Sequence, residues 1–314
     1  GQIFYLFNAQ VPVRHRGDWH YWRKTIPGDT ATTLWTRYHT YQDLPRLVNP
    51  PNGWLQNAND PPWTVTFPQI LDPDDYPSYL APKSLGDAGG ILRPQRSIRM
   101  LREDEKISFE EMISYKFSSR MELADRLLDD LIPAARELGD EFAQEAADVL
   151  EVWDRQAEAK SQGAVLFALW VQSMEDYQLF ATPWQSDQPL TTPDGLADPR
   201  QAVEVLSGSA AGLKLLYGNV AVPWGEVVRL RYGEHDLPAS GSIGHLGSFR
   251  VLYLEPGKTG RFQSFGGDSY IAAVEFSHPL RAQVLNTYGN ATQPHSPHRV
   301  FLKLMNFLPE ILRI

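Results

Sequence analysis

The sequence predicts an α+β protein, and three changes of texture carry that prediction. Residues 1–105 are rich in Trp, Pro, Asn and Gly and show little helical periodicity. Residues 106–182 place apolar side chains at helical spacing, and the remainder returns to short apolar runs broken by glycine-rich turns. Strands, then helices, then strands imply one sheet system built by both ends of the chain, with the helical middle as an excursion from it. The chain accordingly divides into a first core segment, 1–105, a helical segment, 106–190, and a return to the core with closing strands, 191–314.

At the N-terminus, Ile3, Tyr5 and Phe7 alternate with Phe4, Leu6 and Asn8, which reads as a buried strand. Turns follow at Pro27-Gly28-Asp29, Asn49-Pro50-Pro51-Asn52-Gly53 and Asp60-Pro61-Pro62. Ser108 and Glu111 form a capping box, in which each side chain satisfies the other residue's orphan backbone N–H. Behind it run Phe109, Met112 and Ile113, then Leu123, Leu127, Leu128 and Leu131, then Phe142, Ala146, Val149, Leu150 and Trp153. Pro133 and Gly139 punctuate these runs, predicting three or four helices. Asp198-Pro199 is an N-cap with proline at the first helical position, opening a helix to about Leu216. Strands are expected at Phe249–Leu254, Tyr270–Phe276 and Ala282–Tyr288.

Bulk composition narrows the function. The length of 314 residues suits one large domain or two ordinary ones, and 42% hydrophobic with 21% charged residues is the balance of a globular protein. A net charge of -9 excludes a nucleic-acid binder, which needs a basic face to neutralise phosphates. The absence of cysteine removes disulfides, zinc-thiolate sites and thiol catalysis together. The longest apolar run, Ala164 to Val171, is eight residues and reads as buried helix rather than a membrane span. Gly1-Gln2-Ile3-Phe4 lacks the basic start of a signal peptide and stands within an apolar run, so the chain is expected to begin inside a larger protein.

Two constellations stand out. In Asn49-Pro-Pro-Asn-Gly-Trp-Leu-Gln-Asn-Ala-Asn-Asp-Pro-Pro-Trp63, the residues Asn57, Asn59 and Asp60 follow apolar Trp54 and Leu55 in what reads as a strand ending at a proline-fixed turn. Either these side chains fold back on their own backbone to build the turn, or an amide is held at the strand end to meet a developing oxyanion. In Gly89-Gly-Ile-Leu-Arg-Pro-Gln-Arg-Ser-Ile-Arg99, the residues Arg93, Arg96 and Arg99 recur every three positions at a helix entry. They form a solvated basic face, or one turns inward to orient a carbonyl or carboxylate. Asp72-Pro-Asp-Asp75 offers oxygen ligands but lacks an EF-hand's glycine and distal glutamate, so it reads as a solvated turn. His295 and His298 are separated by a proline that breaks a helical ligand pair. Gly241–Gly247 lacks the strand-to-helix setting of a phosphate cradle.

Taken together these segments resemble the penicillin acylase family, which includes penicillin, cephalosporin, acyl-homoserine-lactone and aculeacin acylases. Four blocks in order carry the resemblance: Asn49–Pro62, the Arg93-x-x-Arg96 element, Gly266–Phe276, and Tyr288–His298. Pro223-Trp-Gly-Glu, Arg229-Leu-Arg231 and Gly247-Ser-Phe-Arg250 are more similar to the acyl-homoserine-lactone and aculeacin branch. The resemblance implies an αββα sandwich of the N-terminal-nucleophile type, partial here and carrying a helical insertion. It also implies a precursor cleaved by its own chemistry, whose new N-terminal Ser attacks an amide with its own α-amine as base. By position, Asn59 matches the oxyanion-hole Asn and Arg93 the Arg that supports the site, with Asn57 and Arg96 as register alternatives.

The nucleophilic Ser is expected well upstream of Gly1, on the missing partner part of the same precursor. The chain alone is therefore expected to be inactive and a poor autonomous folder. The substrate implied is an N-acylated small molecule, the location periplasmic or secreted, and no cofactor is required. The segment from Asn59 to Arg93 is longer than in penicillin G acylase, so a structural Ca²⁺ is compatible with the family but no ligand is assigned. Two other classes compete: a carbohydrate-binding or glycoside-processing module, suggested by nine Trp and thirteen Tyr, and a non-catalytic partner-binding domain.

Overall fold

The computed structural model describes residues 1–8, 10–232, 235–257 and 260–286, with 293, 295, 296 and 312–313. Two compact units emerge: Gly1–Asp104 with Trp184–Thr191, and Glu105–Pro183 with Thr192–Ile314.

The first unit is mostly irregular chain around a small core. Strand β1 (Phe4–Leu6) pairs antiparallel with β2 (Arg46–Val48), placing Tyr5 opposite Leu47. The strand expected to be buried is a two-stranded ribbon with one wet face, and Phe4 is 51% exposed. Its other face packs Tyr5 and Leu47 against buried Trp63, Val65, Leu71 and Ala81. Trp63 also donates its indole N–H to the Pro82 carbonyl at 2.8 Å, satisfying the one polar atom its burial strands.

Three helices belong to this unit: α1 (Trp19–Trp22), α2 (Leu85–Ala88) and α3 (Leu92–Arg102). Gly89 ends α2 at φ +72, a left-handed conformation open to glycine, and so reverses the chain into α3. The arginine element was expected at a helix entry, and α3 is that helix. Its buried apolar side chains, Leu92, Ile98 and Met100, do not recur at helical spacing, and Pro94 stands near its start. Pro94 is tolerated because it lies in the first turn, where its missing N–H has no intrahelical partner to lose. The stretch from Trp184 to Thr191 rejoins this unit through Gln95, whose side-chain amide donates to the Pro189 carbonyl at 2.7 Å.

The second unit holds the other helices of the described residues. They are α4 (Phe109–Lys116), α5 (Glu122–Leu138), α6 (Glu141–Val152), α7 (Ala164–Ser173), α8 (Pro199–Tyr217) and α9 (Trp224–Val227). The capping box opens α4 as expected, with Ser108 N–H donating to Glu111 Oε2 at 2.8 Å. Pro133 does not break its helix: α5 runs through it. Pro133 and Asp129, the residue whose carbonyl loses its helical partner, are both exposed, so the missing bond falls on the solvent face of the helix. Leu127, Leu128 and Leu131 of α5, Ala146 and Ala147 of α6, and Leu206 and Ala210 of α8 are fully buried where these helices pack. Each such Leu contributes about 1.5–3 kcal/mol of burial. No helix among the described residues is long and apolar enough to cross a membrane.

Small sheets complete this unit: β3 (Phe180–Thr182) with β4 (Asp194–Leu196), and a four-stranded sheet in the order β6 (His235–Pro238), β5 (Val228–Tyr232), β8 (Phe262–Gly267), β7 (Leu252–Pro256). A third runs β11 (Leu312–Arg313), β10 (Arg281–Asn286), β9 (Tyr270–Glu275). Strands expected at 249–254, 270–276 and 282–288 appear as β7, β9 and β10 with shifted ends, and residues 287 and 288 lie outside the described set.

The α+β class holds, but the single sheet system does not. Among the described residues β1 pairs with β2 alone, and the strands form four separate sheets. These strands are two to six residues long.

Candidate active site

The turn that carries the asparagines is built by its own side chains and anchored by the core beside it. Residues 54–60 form no strand, contrary to expectation; the chain is an irregular loop that doubles back through Pro61–Val65. Gln56 N–H donates to the Val65 carbonyl at 2.8 Å, and Asn52 Nδ2 donates to the Phe67 carbonyl at 3.0 Å. Two consecutive prolines after Asp60 cannot donate to a ladder, and the backbone N–H groups of Ala58 and Asn59 are met by the side chains of Asp60 and Asn57. Because Trp63 and Val65 are buried, the loop's return limb is fixed.

At the tip, the two asparagines do different things. Asn57 spends both ends of its amide on the turn: Oδ1 accepts from Asn59 N–H at 3.0 Å, and Nδ2 donates to the Asp60 carbonyl at 3.2 Å. Asn59 stands at φ +66, a left-handed conformation that Asn tolerates better than other non-glycine residues. It is exposed, and its Nδ2 makes no hydrogen bond among the described residues.

Arg93, half-buried on α3, reaches this turn. One guanidinium nitrogen, Nη2, donates both to the Ala58 carbonyl and to Asn59 Oδ1. Donation to Oδ1 dictates which way the amide faces, since a flipped amide would set its N–H₂ against a cation. Arg96 and Arg99 are likewise half-buried on α3, so the three arginines do not form a solvated face.

Asp60 lies beneath the turn. Its Oδ1 accepts from Ala58 N–H at 2.5 Å, while Oδ2 accepts from Gln56 Nε2 at 2.9 Å and from the Thr64 hydroxyl. Burial pushes the Asp60 carboxyl above its ordinary value, opposed by the hydrogen bonds from Thr64, Ala58 and Gln56. Tyr5 of β1 is pushed up to about 12, first by burial and then by the negative charge of Asp60. Gln56 and Thr64 escaped the sequence reading. The available signal was a Thr four residues beyond an Asp that two prolines follow.

Other candidates resolve as structure. Asp72 caps a single turn by accepting from Asp74 N–H at 2.9 Å, and Asp74 pairs with Lys83. No group of three or more metal-ligating side chains occurs among the described residues. Ser242 of the 241–247 loop and Ser248 just after it are buried and bonded within the protein: their hydroxyls lie 2.6 Å apart, and Ser248 donates to the Ser119 carbonyl at 3.0 Å. Arg229 and Arg231 both converge on Asp236. His298 and most of the Tyr288–His298 block lie outside the described residues.

Comparison with known proteins bears on this geometry. Residues 1–300 match the penicillin amidase family model. An acyl-homoserine lactone acylase PvdQ of Pseudomonas syringae pv. tomato is 26% identical over 277 residues, covering 81% of this chain and 34% of that protein. The protein of the same name from Pseudomonas savastanoi pv. phaseolicola is 24% identical over 274 residues, with 81% and 34% covered. The chain thus spans about a third of the length of the curated relatives it matches. With a family model aligned along residues 1–300 of 314, the chain belongs to the penicillin amidase family.

Proposed function

We propose that this chain is the oxyanion-binding part of an amidohydrolase that cleaves N-acylated small molecules, such as an acyl-homoserine lactone, a penicillin or a lipopeptide. The nucleophile of this enzyme is an N-terminal Ser on a preceding part of the same precursor, freed by self-cleavage. Its α-amine takes the hydroxyl proton as the oxygen attacks the amide carbonyl. The carbonyl oxygen gains negative charge, and the tetrahedral intermediate expels the amine, which takes the proton from the α-ammonium, leaving an acyl-enzyme that water hydrolyses. Asn59 donates to the oxygen as charge develops, and Arg93 holds Asn59. The chemistry calls on no cofactor, and a periplasmic or secreted location belongs to the same proposal.

One observation supports it above the others: Arg93 occupies the oxygen of the Asn59 amide, while the N–H₂ end makes no hydrogen bond among the described residues. A turn built for stability alone would use both ends, as Asn57 does. The test is Asn59→Ala in the complete enzyme, with kcat normalised to folded, processed protein. A fall of about 10²–10³ with KM little changed is expected, the cost of one oxyanion donor. Wild-type kcat on that basis would refute the assignment.

A further inference from the structure

Asp60 is an unusual choice for the residue after Asn59. Its carboxylate is largely withdrawn from water, which is costly unless its lone pairs are matched by donors. Three donors converge on it: Ala58 N–H at 2.5 Å, Gln56 Nε2 at 2.9 Å and the Thr64 hydroxyl. A neutral Asn would present N–H₂ to one of these donors and lose that bond.

The pattern of contacts is also specific. Asp60 holds the N–H of Ala58 while Arg93 holds its C=O, so an acid and a base grip the two polar groups of the residue before Asn59. Ala58 is buried, and Asn59 follows it directly in a left-handed conformation. Rotating the backbone at 58 or 59 would break both grips together. Thr64 and Gln56 connect the carboxylate to the return limb, since Gln56 Nε2 also donates to the Thr64 carbonyl at 2.7 Å.

We propose that Asp60 is a positioning residue for the oxyanion donor: through Ala58 N–H, Gln56 and Thr64, its carboxylate fixes the backbone from which the Asn59 amide projects. This rests on the oxyanion reading of Asn59. Asp60 touches no reacting atom, and its contribution to rate runs through Asn59.

The experiment is a double-mutant cycle in the complete enzyme: Asp60→Asn, Asn59→Ala and the two combined, with kcat and KM per folded, processed molecule. Asp60→Asn should lower kcat roughly tenfold to a hundredfold with KM little changed, the scale on which small misplacements of a catalytic group cost rate. Because that loss acts through Asn59, the double variant should be no slower than Asn59→Ala alone. A merely structural Asp60 would instead lower the yield of folded enzyme and leave kcat per folded molecule intact. Should Asp60→Asn yield no folded enzyme, Thr64→Val replaces it in the cycle, with a smaller fall expected and the same non-additivity. Wild-type kcat in the variant used, or losses that multiply in the double variant, would overturn the role of Asp60 alone. Wild-type kcat in Asn59→Ala would overturn the oxyanion reading and this inference with it.

Discussion

Replacing Arg93 separates the orientation of the Asn59 amide from its presence. In Arg93→Ala the Asn59 side chain remains, but Oδ1 and the Ala58 carbonyl lose the donor they share. A hydrogen bond from a charged donor is worth about 1.5–3 kcal/mol, yet Asn59 is exposed, so water replaces part of the loss there. Ala58 is buried, and its carbonyl bears more of the cost; a stability loss of about 1–2 kcal/mol is expected. The effect on rate has two parts. Once the cation is gone the two amide orientations become comparable in energy, which by itself halves the competent population. Loosening of the turn adds more, up to about 10² for a displacement near 1 Å. The drop in kcat should therefore fall between about twofold and about 10², below the 10²–10³ for losing the amide itself. Arg93→Lys should recover part of it, because a single nitrogen meets both oxygens and an ammonium, on a shorter side chain, replaces that donor only in part. The assay is amide turnover by folded, processed enzyme, with chemical denaturation run alongside. An unchanged kcat in Arg93→Ala would refute the orienting role. A drop larger than that of Asn59→Ala would show that Arg93 meets the substrate itself.

Three further outcomes test the structure more broadly. Burial raises the Asp125 carboxyl, but hydrogen bonds and charge from Arg120 and Arg155 outweigh it and hold it below the ordinary value. Its stabilisation is present above about pH 4 and is lost as pH falls through the depressed folded value, so Asp125→Asn should lower stability at neutral pH by about 1–3 kcal/mol and flatten the acid branch of an unfolding-versus-pH curve. Tyr5 has the opposite sign: its neutral form is favoured in the fold, so its contribution is complete below about pH 10 and is lost as pH rises through about 12. Tyr5→Phe should remove that alkaline component, and tyrosinate absorbance should show one fewer late-titrating phenol. Gly163 stands at φ +110 and an added Cβ would lie 2.7 Å from the Trp153 ring, so Gly163→Ala should cost about 2–4 kcal/mol in equilibrium unfolding.

Elements whose causes are local can be read from residue order. The α4 capping box, the leucine stripe of α5 and the Asp198-Pro199 start of α8 act within one or two turns, so residue order suffices to read them. The asparagine segment and the arginine element were legible as candidates for the same reason: Asn, Asp and Pro in succession dictate a turn, and recurring Arg draws notice anywhere. What a proline does was not local. Pro133 sits inside α5 and Pro94 inside the first turn of α3, because the cost of a missing N–H depends on where solvent lies and where the helix begins. Nor did alternation decide sheet membership, since among the described residues β1 pairs with β2 alone and pairing is settled across dozens of residues. At the site, sequence order alone could not distinguish Asn57 from Asn59, two residues of one type two positions apart. Only the approach of Arg93, thirty-four residues along the chain, breaks that symmetry, by occupying the oxygen of one amide while the turn consumes the other.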